Sequence, residues 1–272
     1  MRGILGLLTN KQGEIKLELL FARNLNKIYP GKVTYKALTN IDLTIQQGEF
    51  VGIMGPSGSG KTTLLNMVST IDKPTSGELR IAGQDPYELS REKLAFFRRR
   101  ELGFVFQSFN LLDTLTVSEN IMLPLTLDGT NIVEMKLRAA SIMEKLGIAA
   151  LADKRTYEIS GGQAQRTAIA RALIHSPKLL LADEPTGNLD SKSARDVMEL
   201  MSKLNREDNA TMMLVTHDAM AASYCHRVIF IKDGQFYSEV NCGDNRAAFY
   251  QKIINMLALL GGTENEFPTV RV

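Results

Sequence analysis

Three short stretches of the 272-residue sequence carry residue types that could bind and cleave a phosphate chain. The first, "GPSGSGKT" at residues 55–62, fits the spacing G-x-x-x-x-G-K-[ST] of a phosphate-binding loop. Glycines let backbone N–H groups approach phosphates closely, and the N-terminus of a following helix adds positive charge. Lys61 would reach the β- and γ-phosphates, and the Thr62 hydroxyl would bind Mg²⁺. The predicted nucleotide contacts are Gly55, Pro56, Ser57, Gly58, Ser59, Gly60, Lys61, Thr62 and Thr63.

The second stretch, "LLLADE" at 179–184, is an apolar run that ends in two acids. Such a strand delivers carboxylates to the C-terminal edge of a parallel sheet, where nucleotides bind. Asp183 would hold Mg²⁺ directly or through a water, and Glu184 would polarise an attacking water. The predicted chemistry is phosphoryl transfer to water, catalysed by positioning and electrostatics.

The third stretch, "SGGQ" at 160–163, predicts a second anion site. Ser160 is a typical helix N-cap, and Gly161 and Gly162 leave backbone N–H groups accessible. The first loop already holds one nucleotide completely, so a second phosphate-binding helix end in the same chain needs its own explanation.

The elements around these stretches predict an α/β fold. Apolar strands alternate with helical patterns, which indicates a parallel sheet, while two strands of period-two alternation and a late hairpin indicate an antiparallel flank. Capping-box patterns at 116–119 and 131–134 predict helices before "SGGQ". The predicted buried strands are 49–55, 102–107, 178–184 and 211–217, the helices 161–175 and 191–205, the alternating strands 17–29 and 37–45, and the hairpin 227–240.

Composition excludes several classes of protein. The net charge of +2 gives no basic footprint for nucleic acid, so no nucleic-acid partner is expected. No segment reaches the roughly 20 apolar residues of a membrane span, so a membrane role would come through a partner. Two cysteines do not make a disulfide framework.

In their order and spacing, these motifs resemble the ATP-binding subunits of ABC transporters. The resemblance covers residues 19–240 and rests on "GPSGSGKT", "GFVFQ" ending at Gln107, "ISGGQ", "LLLADEPTGNLD" and "VTH" at 215–217. It implies a P-loop ATPase fold in residues 18–240, with a helical subdomain inserted at about 108–163. Residues 1–17 would be an N-terminal arm or a non-native extension, and residues 241–272 a C-terminal extension.

The resemblance also accounts for the second anion site. Two copies of such a chain pair head to tail around two ATP molecules. Ser160, Gly161, Gly162 and Gln163 of one copy would then bind the γ-phosphate of the ATP held by the other copy.

Further roles follow from the resemblance alone. Gln107 would touch Mg²⁺ and the attacking water and link to the transmembrane partner. Asp190 would lie at the dimer interface, and His217 would contact the γ-phosphate. Tyr29 lies where the family places an aromatic ring that stacks on adenine, with Tyr35 as a competing candidate.

Within the family, the sequence resembles the group that serves lipoprotein release, macrolide export, cell division and peptide resistance. Stretches such as "FNLLDTLTVSEN" and the tail beyond residue 240 look closest to the Bce-type bacitracin and antimicrobial-peptide resistance ATPases of Gram-positive bacteria. This implies a peripheral subunit at the cytoplasmic face of the membrane, bound to one large permease and, through it, to a sensor histidine kinase. The alternative is an ATPase that regulates a division-type, lipoprotein-release or macrolide-export permease without peptide transport.

Overall fold

The computed structural model describes residues 7–9 and 15–261, with side chains from residue 17 onward. Its strands are β1 (Leu7–Thr9), β2 (Ile15–Tyr29), β3 (Tyr35–Gln46), β4 (Phe50–Met54), β5 (Ser76–Ile81), β6 (Leu102–Phe106), β7 (Leu179–Asp183), β8 (Thr211–Val215), β9 (Arg227–Lys232) and β10 (Gln235–Asn241). Its helices are α1 (Lys61–Val68), α2 (Arg91–Glu101), α3 (Val117–Leu127), α4 (Ile132–Lys145), α5 (Gly161–Leu173), α6 (Ser191–Asp208), α7 (Ala219–Ala222) and α8 (Arg246–Gly261).

The central sheet has six strands in the order β10-β9-β4-β8-β7-β6. All neighbouring pairs are parallel except β10 on β9. Every residue of β4 and of β8 is buried, as expected for parallel strands that are covered on both faces. The α/β prediction with a parallel sheet is therefore confirmed, and the hairpin turns at Asp233 and Gly234, which both have positive φ.

The antiparallel flank is a second sheet, in which β2 pairs with β1, β3 and β5. Its buried residues, among them Leu20, Leu25 and Ile45, pack with α1 against one face of the central sheet. Helices α3 to α6 cover a second apolar cluster that includes Phe50, Met198 and Met212. Strand β4, which leads into the phosphate-binding loop, contributes residues to both clusters and is therefore held between two apolar cores.

The two predicted helices between β6 and "SGGQ" are present. Helix α3 begins with a complete capping box at Thr116, and the Asn131 side chain accepts a hydrogen bond from the backbone N–H of Val133 at the start of α4. Helix α4 buries Met135, Ala139 and Met143, whereas Ile132, its first residue, is about half exposed.

Residues 246–261 fold onto the core as α8. Phe249 and Ile253 are fully buried in the same cluster as the central sheet, and the Arg246 guanidinium lies 3.7 Å from the centre of the Tyr224 ring. Parts of the two predicted terminal extensions, residues 1–6, 10–14 and 262–272, lie outside the described residues. Among the described helices, none is long and apolar enough to cross a membrane.

Candidate functional site

The loop 55–60 joins the C-terminal end of β4 to α1 at the edge of the central sheet. A Cβ atom on Gly55, which has φ +155°, would lie 2.0 Å from the Ile231 carbonyl oxygen. A Cβ on Gly60, which has φ +100°, would lie 2.7 Å from the Ala37 carbonyl oxygen. The hairpin β9–β10 also holds the loop, because the Gly234 N–H donates to the Ser59 carbonyl at 3.1 Å. Glycine is therefore required at both ends of the loop.

The N-terminus of α1 is suited to an anion. Gly60 is the N-cap residue and offers no side-chain hydrogen bond to the first turn of the helix. The first N–H groups of a helix have no intrahelical partner and carry the positive end of the helix dipole. Pro56, Ser57 and Gly58 are exposed, and a Cβ on Gly58 would meet nothing within 4 Å. A phosphate chain can therefore approach these backbone N–H groups directly.

Lys61, the first residue of α1, lies over the loop. Its Nζ donates to the carbonyl oxygens of Gly55 at 2.9 Å and Pro56 at 2.8 Å. Burial lowers the pKa of its ammonium group, while the charges of Glu184 and Asp183 act in the opposite direction. The two acids therefore face this lysine, so the first two predicted stretches meet at one edge of the sheet.

Asp183 ends β7, and Glu184 follows in a left-handed conformation with φ 45°. Burial raises the pKa of the Asp183 carboxyl, with a further contribution from Glu184, while Lys61 opposes it. The Glu184 N–H donates to the Val215 carbonyl at 2.9 Å, so β8 fixes the turn. The turn directs the Glu184 carboxylate toward the residues that follow β8.

The Glu184 carboxylate contacts His217, the histidine of "VTH". His217 Nδ1 lies 2.8 Å from Glu184 Oε1, and the His217 N–H donates to Oε2 at 3.3 Å. The fully buried Thr216 donates its hydroxyl to the same Oε2 at 3.0 Å. The Glu184 side chain is 16% exposed and that of His217 is 74% exposed. The structure thus brings the predicted base and the predicted γ-phosphate contact together at the surface.

Gln107 follows β6 and contacts the segment after Glu184. Its Nε2 lies 3.4 Å from Asn188 Oδ1, and Asn188 Nδ2 donates to the Gln107 carbonyl at 3.0 Å. A Cβ on Gly187 would lie 2.7 Å from Gln107 Nε2, so glycine is needed for this contact. The structure holds Gln107 beside residues 187–188, without a direct contact to either acid.

Ser160 and Gln163 form a complete capping box at the start of α5. Gln163 Oε1 accepts from the Ser160 N–H at 2.9 Å, and Ser160 Oγ accepts from the Gln163 N–H at 3.4 Å. The two glycines lie close to the start of α6, because a Cβ on Gly161 would be 3.3 Å from Leu189 and a Cβ on Gly162 would be 3.1 Å from Ser193. The glycines therefore also serve the close packing of two helix N-termini.

The two candidate anion sites lie at different strands of the sheet. Helix α5 packs on β6. Near its C-terminal end, a Cβ on Gly103 would lie 2.4 Å from the Ala172 carbonyl oxygen, and at its first residue, a Cβ on Gly161 would lie 3.9 Å from the ring of Phe109, which follows β6. Strand β6 is three positions away from β4, which carries the phosphate-binding loop. Adjacent strands are about 4.8 Å apart, so β6 lies about 14 Å from β4 across the sheet.

Asp190 is the N-cap of α6. Its carboxylate accepts from the N–H groups of Lys192 and Ser193 at 3.0 Å and from the Ser193 hydroxyl at 2.6 Å. The hydrogen bonds from Ser193 lower the pKa of Asp190. Capping the N-terminus of α6 is therefore enough to explain an aspartate at position 190 in the single chain.

Both candidate adenine-binding rings are exposed in part. The Tyr29 hydroxyl donates to Asp72 Oδ2 at 2.7 Å, and Lys27 Nζ lies 4.7 Å from the ring centre. Burial and the bond to Asp72 raise the pKa of Tyr29. The Tyr35 hydroxyl donates to the Gly58 carbonyl at 3.4 Å, so Tyr35 touches the phosphate-binding loop itself.

Sequence reasoning missed three residues that support this site. Thr216 bonds Glu184, Asn188 holds Gln107, and the fully buried Gln165 donates to the Pro185 carbonyl at 2.6 Å. The signal for Gln165 was present, because a glutamine among the apolar residues of a buried helix needs a partner.

Comparisons with known proteins agree on one family. A family model described as "ABC transporter" matches residues 38–187. The ABC transporter ATP-binding protein YxdL of Bacillus subtilis (strain 168) is 57% identical over 256 residues, which are 93% of this chain and 99% of the relative. The bacitracin export ATP-binding protein BceA of Halalkalibacterium halodurans is 48% identical over 252 residues, 92% of this chain and 100% of the relative.

A solved structure is similar as well. It is a dimer of the ATP-binding cassette MJ0796, from Methanocaldococcus jannaschii, in a post-hydrolysis state bound to ADP and Pi. The match has a TM-score of 0.75 and 42% sequence identity, and it covers 82% of this chain and 99% of that one.

Proposed function

Because this chain belongs to the ABC transporter family as an ATP-hydrolysing subunit, we propose that two copies enclose two ATP molecules and drive a membrane permease in resistance to antimicrobial peptides. The observation that carries the dimer is the separation of the two anion-binding helix ends within one chain. Helix α5 packs on β6, three strands away from β4, which carries the phosphate-binding loop, so the two helix ends lie at different strands of the sheet in one copy. The dimeric state of MJ0796 supports this arrangement.

In the proposed dimer, each ATP site uses residues of both copies. Residues 55–63 of one copy bind the phosphates through backbone N–H groups and Lys61. The α5 N-terminus of the second copy, with Ser160, Gly161 and Gly162, binds the γ-phosphate from the opposite side. The adenine stacks on Tyr29, and Asp190 lies at the interface between the copies.

For hydrolysis, Glu184 accepts a proton from the attacking water. The water oxygen bonds to the γ-phosphorus, the bond to the β–γ bridging oxygen breaks, and ADP and phosphate are released. His217 contacts the γ-phosphate, for which its imidazole must leave Glu184 Oε1, 2.8 Å away in this structure. ATP binding would thereby free the Glu184 carboxylate for its water.

The side chains around the site fit Mg²⁺. The Thr62 hydroxyl is exposed in the first turn of α1, and Asp183 and Gln107 offer further oxygen ligands, which Mg²⁺ prefers. In the part of the chain that the structure describes, no three His, Cys, Asp or Glu side chains cluster to hold a metal, as expected where substrate phosphates and waters supply most ligands. When bound, Mg²⁺ supplies neutralisation of the phosphate charge.

The finer assignment to peptide resistance rests on similarity along nearly the whole chain. The bacitracin export relative matches 92% of the chain and so leaves about 8% unmatched. Residues 246–272, which begin with α8, make up about 10% of the chain, so the match must include at least the start of α8. We propose that the chain is a peripheral subunit at the cytoplasmic face of the membrane. It would bind one permease and, through that permease, a sensor histidine kinase. Regulation of a division-type, lipoprotein-release or macrolide-export permease is the second candidate. It is supported by a macrolide export relative that is 42% identical over 80% of this chain and by a lipoprotein-releasing relative that is 46% identical over 75% of it.

Identification of the partner separates these candidates. The tagged chain is captured from native membranes in a gentle detergent, and co-purifying proteins are identified by mass spectrometry. A large permease with an extracellular domain, together with a sensor kinase, is the expected result. A small four-span permease would overturn the peptide-resistance assignment and favour the second candidate. Capture of neither permease, with the chain itself recovered, would contradict the permease partnership.

A further inference from the structure

Gln165 lies in α5 one turn after the capping box, and its side chain is fully buried. Side-chain amides are seldom fully buried without a specific bond. Its Nε2 donates to the Pro185 carbonyl oxygen at 2.6 Å. Since a carbonyl oxygen only accepts, the nitrogen of the amide must face Pro185.

Pro185 directly follows Glu184, so this bond reaches the backbone that carries the predicted base. That backbone is otherwise fixed by two bonds, from the Glu184 N–H to the Val215 carbonyl and from the Gly187 N–H to the Glu184 carbonyl. The first bond comes from the sheet and the second closes the local turn. Gln165 thus supplies a side-chain contact from α5 to this turn.

The N-terminus of α5, one turn before Gln165, is the second anion site. Its capping residue, Ser160, is five residues before Gln165, which corresponds to about 7.5 Å along a helix. The first turn of α5 also lies close to Leu189 and Ser193, at the start of α6. Because a helix moves as a rigid rod over this length, a displacement at its N-terminus is passed on to Gln165.

We propose that Gln165 is a positioning residue that couples the two ATP sites of the dimer. When the N-terminus of α5 engages the γ-phosphate held by the partner copy, Gln165 carries the shift to Pro185 and so sets the position of Glu184 in its own site. The coupling rests on the proposed ATP-enclosing dimer. It makes hydrolysis at one site depend on how the other site is occupied.

The test replaces Gln165 by methionine, which keeps the length and shape of the side chain but cannot donate to Pro185. The matched control is Thr167→Val, on the same helix, where a fully buried hydroxyl bonds only the Gln163 carbonyl of its own helix. The full-length variants are compared with wild type in ATP affinity, kcat, the Hill coefficient of hydrolysis and the midpoint of thermal unfolding.

For Gln165→Met we expect kcat to fall at least about tenfold, because a misplaced catalytic group costs rate rather than binding. ATP affinity should stay within about twofold of wild type, because the phosphate-binding loop is untouched. The Hill coefficient, which two coupled sites raise above 1, should fall to about 1. Thr167→Val should keep the wild-type kcat and Hill coefficient.

A wild-type Hill coefficient and kcat in Gln165→Met would overturn the coupling while leaving the dimer intact. Equal losses in Thr167→Val would assign Gln165 a packing role and overturn the coupling as well. If Gln165→Met does not fold, Gln165→Asn keeps an amide that is one methylene too short, and the same readouts apply. A wild-type protein that stays monomeric with ATP would instead overturn the proposed dimer.

Discussion

At the scale of one residue, the fold fixes the direction of the carboxylate of Glu184, the proposed base. Its left-handed backbone, fixed by Val215, turns the side chain away from Asp183 and toward Thr216 and His217. Both acids act on Lys61, but Glu184 also bonds Thr216 and His217, so the two adjacent acids can take two roles.

Glu184→Gln should bind ATP but hydrolyse it about 10² to 10⁴ times more slowly, because the amide cannot accept the water proton. The uncleaved ATP should also hold two copies together. Size-exclusion chromatography with and without Mg·ATP, combined with a phosphate-release assay, measures both effects. The control is Glu199→Gln on the exposed side of α6, which should hydrolyse ATP like wild type. A monomer under both conditions would count against the ATP-enclosing dimer.

Tyr29→Ala should weaken ATP binding about tenfold, because base–aromatic stacking contributes about 1–3 kcal/mol per base. Tyr29→Phe keeps the ring and loses the hydroxyl that bonds Asp72 and Thr63, so stacking on adenine should be retained and ATP binding should stay close to wild type. Titration with a fluorescent ATP analogue gives the dissociation constants. If Tyr35→Ala shows the loss and Tyr29→Ala does not, Tyr35 is the stacking residue.

The residues that could be predicted from the sequence are those whose type and spacing the chemistry demands. Lys61, Asp183 and Glu184 belong to this set, because phosphate and water leave few alternatives at these positions. The bonds that hold them could not be predicted. The contacts of Thr216 and Gln165 join residues that are 32 and 20 positions from their partners, and only the folded backbone brings those partners together.

Among the elements, the buried strands and the long helices could be predicted from the sequence. The short or polar elements β5 and α2 and the C-terminal helix α8 could not. Strand β5 begins with an exposed serine and Gly77, whose φ of +100° is typical of a turn. Helix α2 buries only Phe97, so it shows no apolar stripe. Helix α8 has apolar residues on several faces, and its packing on α7 and β10 depends on tertiary contacts.

Phe249→Ala tests whether α8 is an integral part of the domain. Its ring is fully buried in the main core, so we expect a loss of about 3–5 kcal/mol in the free energy of unfolding. Leu259→Ala on the exposed side of the same helix should change it by no more than about 0.5 kcal/mol. Urea unfolding followed by circular dichroism measures both. Equal and small effects would mean that α8 adds little to the stability of the core.

At the scale of the whole molecule, the strand order places the two candidate phosphate-binding helix ends at different strands of the sheet. In the proposed dimer, the phosphate-binding loop, which follows β4, and the start of α5, which packs on β6, each complete a site with the second copy, which lies in the opposite orientation. Such a pair is isologous, and each copy gives one half to each site. If the sites are shared between copies, two inactive variants should restore activity when they are mixed, which sites within single chains would not allow.

Ser160→Arg and Lys61→Ala should each be nearly inactive alone, yet an equimolar mixture should recover activity. In a mixed pair, the loop of the Ser160→Arg copy meets the intact α5 N-terminus of the Lys61→Ala copy, so one site works and the other lacks both halves. Random pairing makes half of the dimers mixed, with one working site of two, so phosphate release should reach at most about a quarter of the wild-type rate per chain, and less where the two sites are coupled. A chain with both substitutions, mixed with wild type, should form no working mixed site. If the two single variants stayed inactive on mixing, each site would lie within one chain. Full wild-type activity per chain in the mixture would also contradict sites that are shared between two copies.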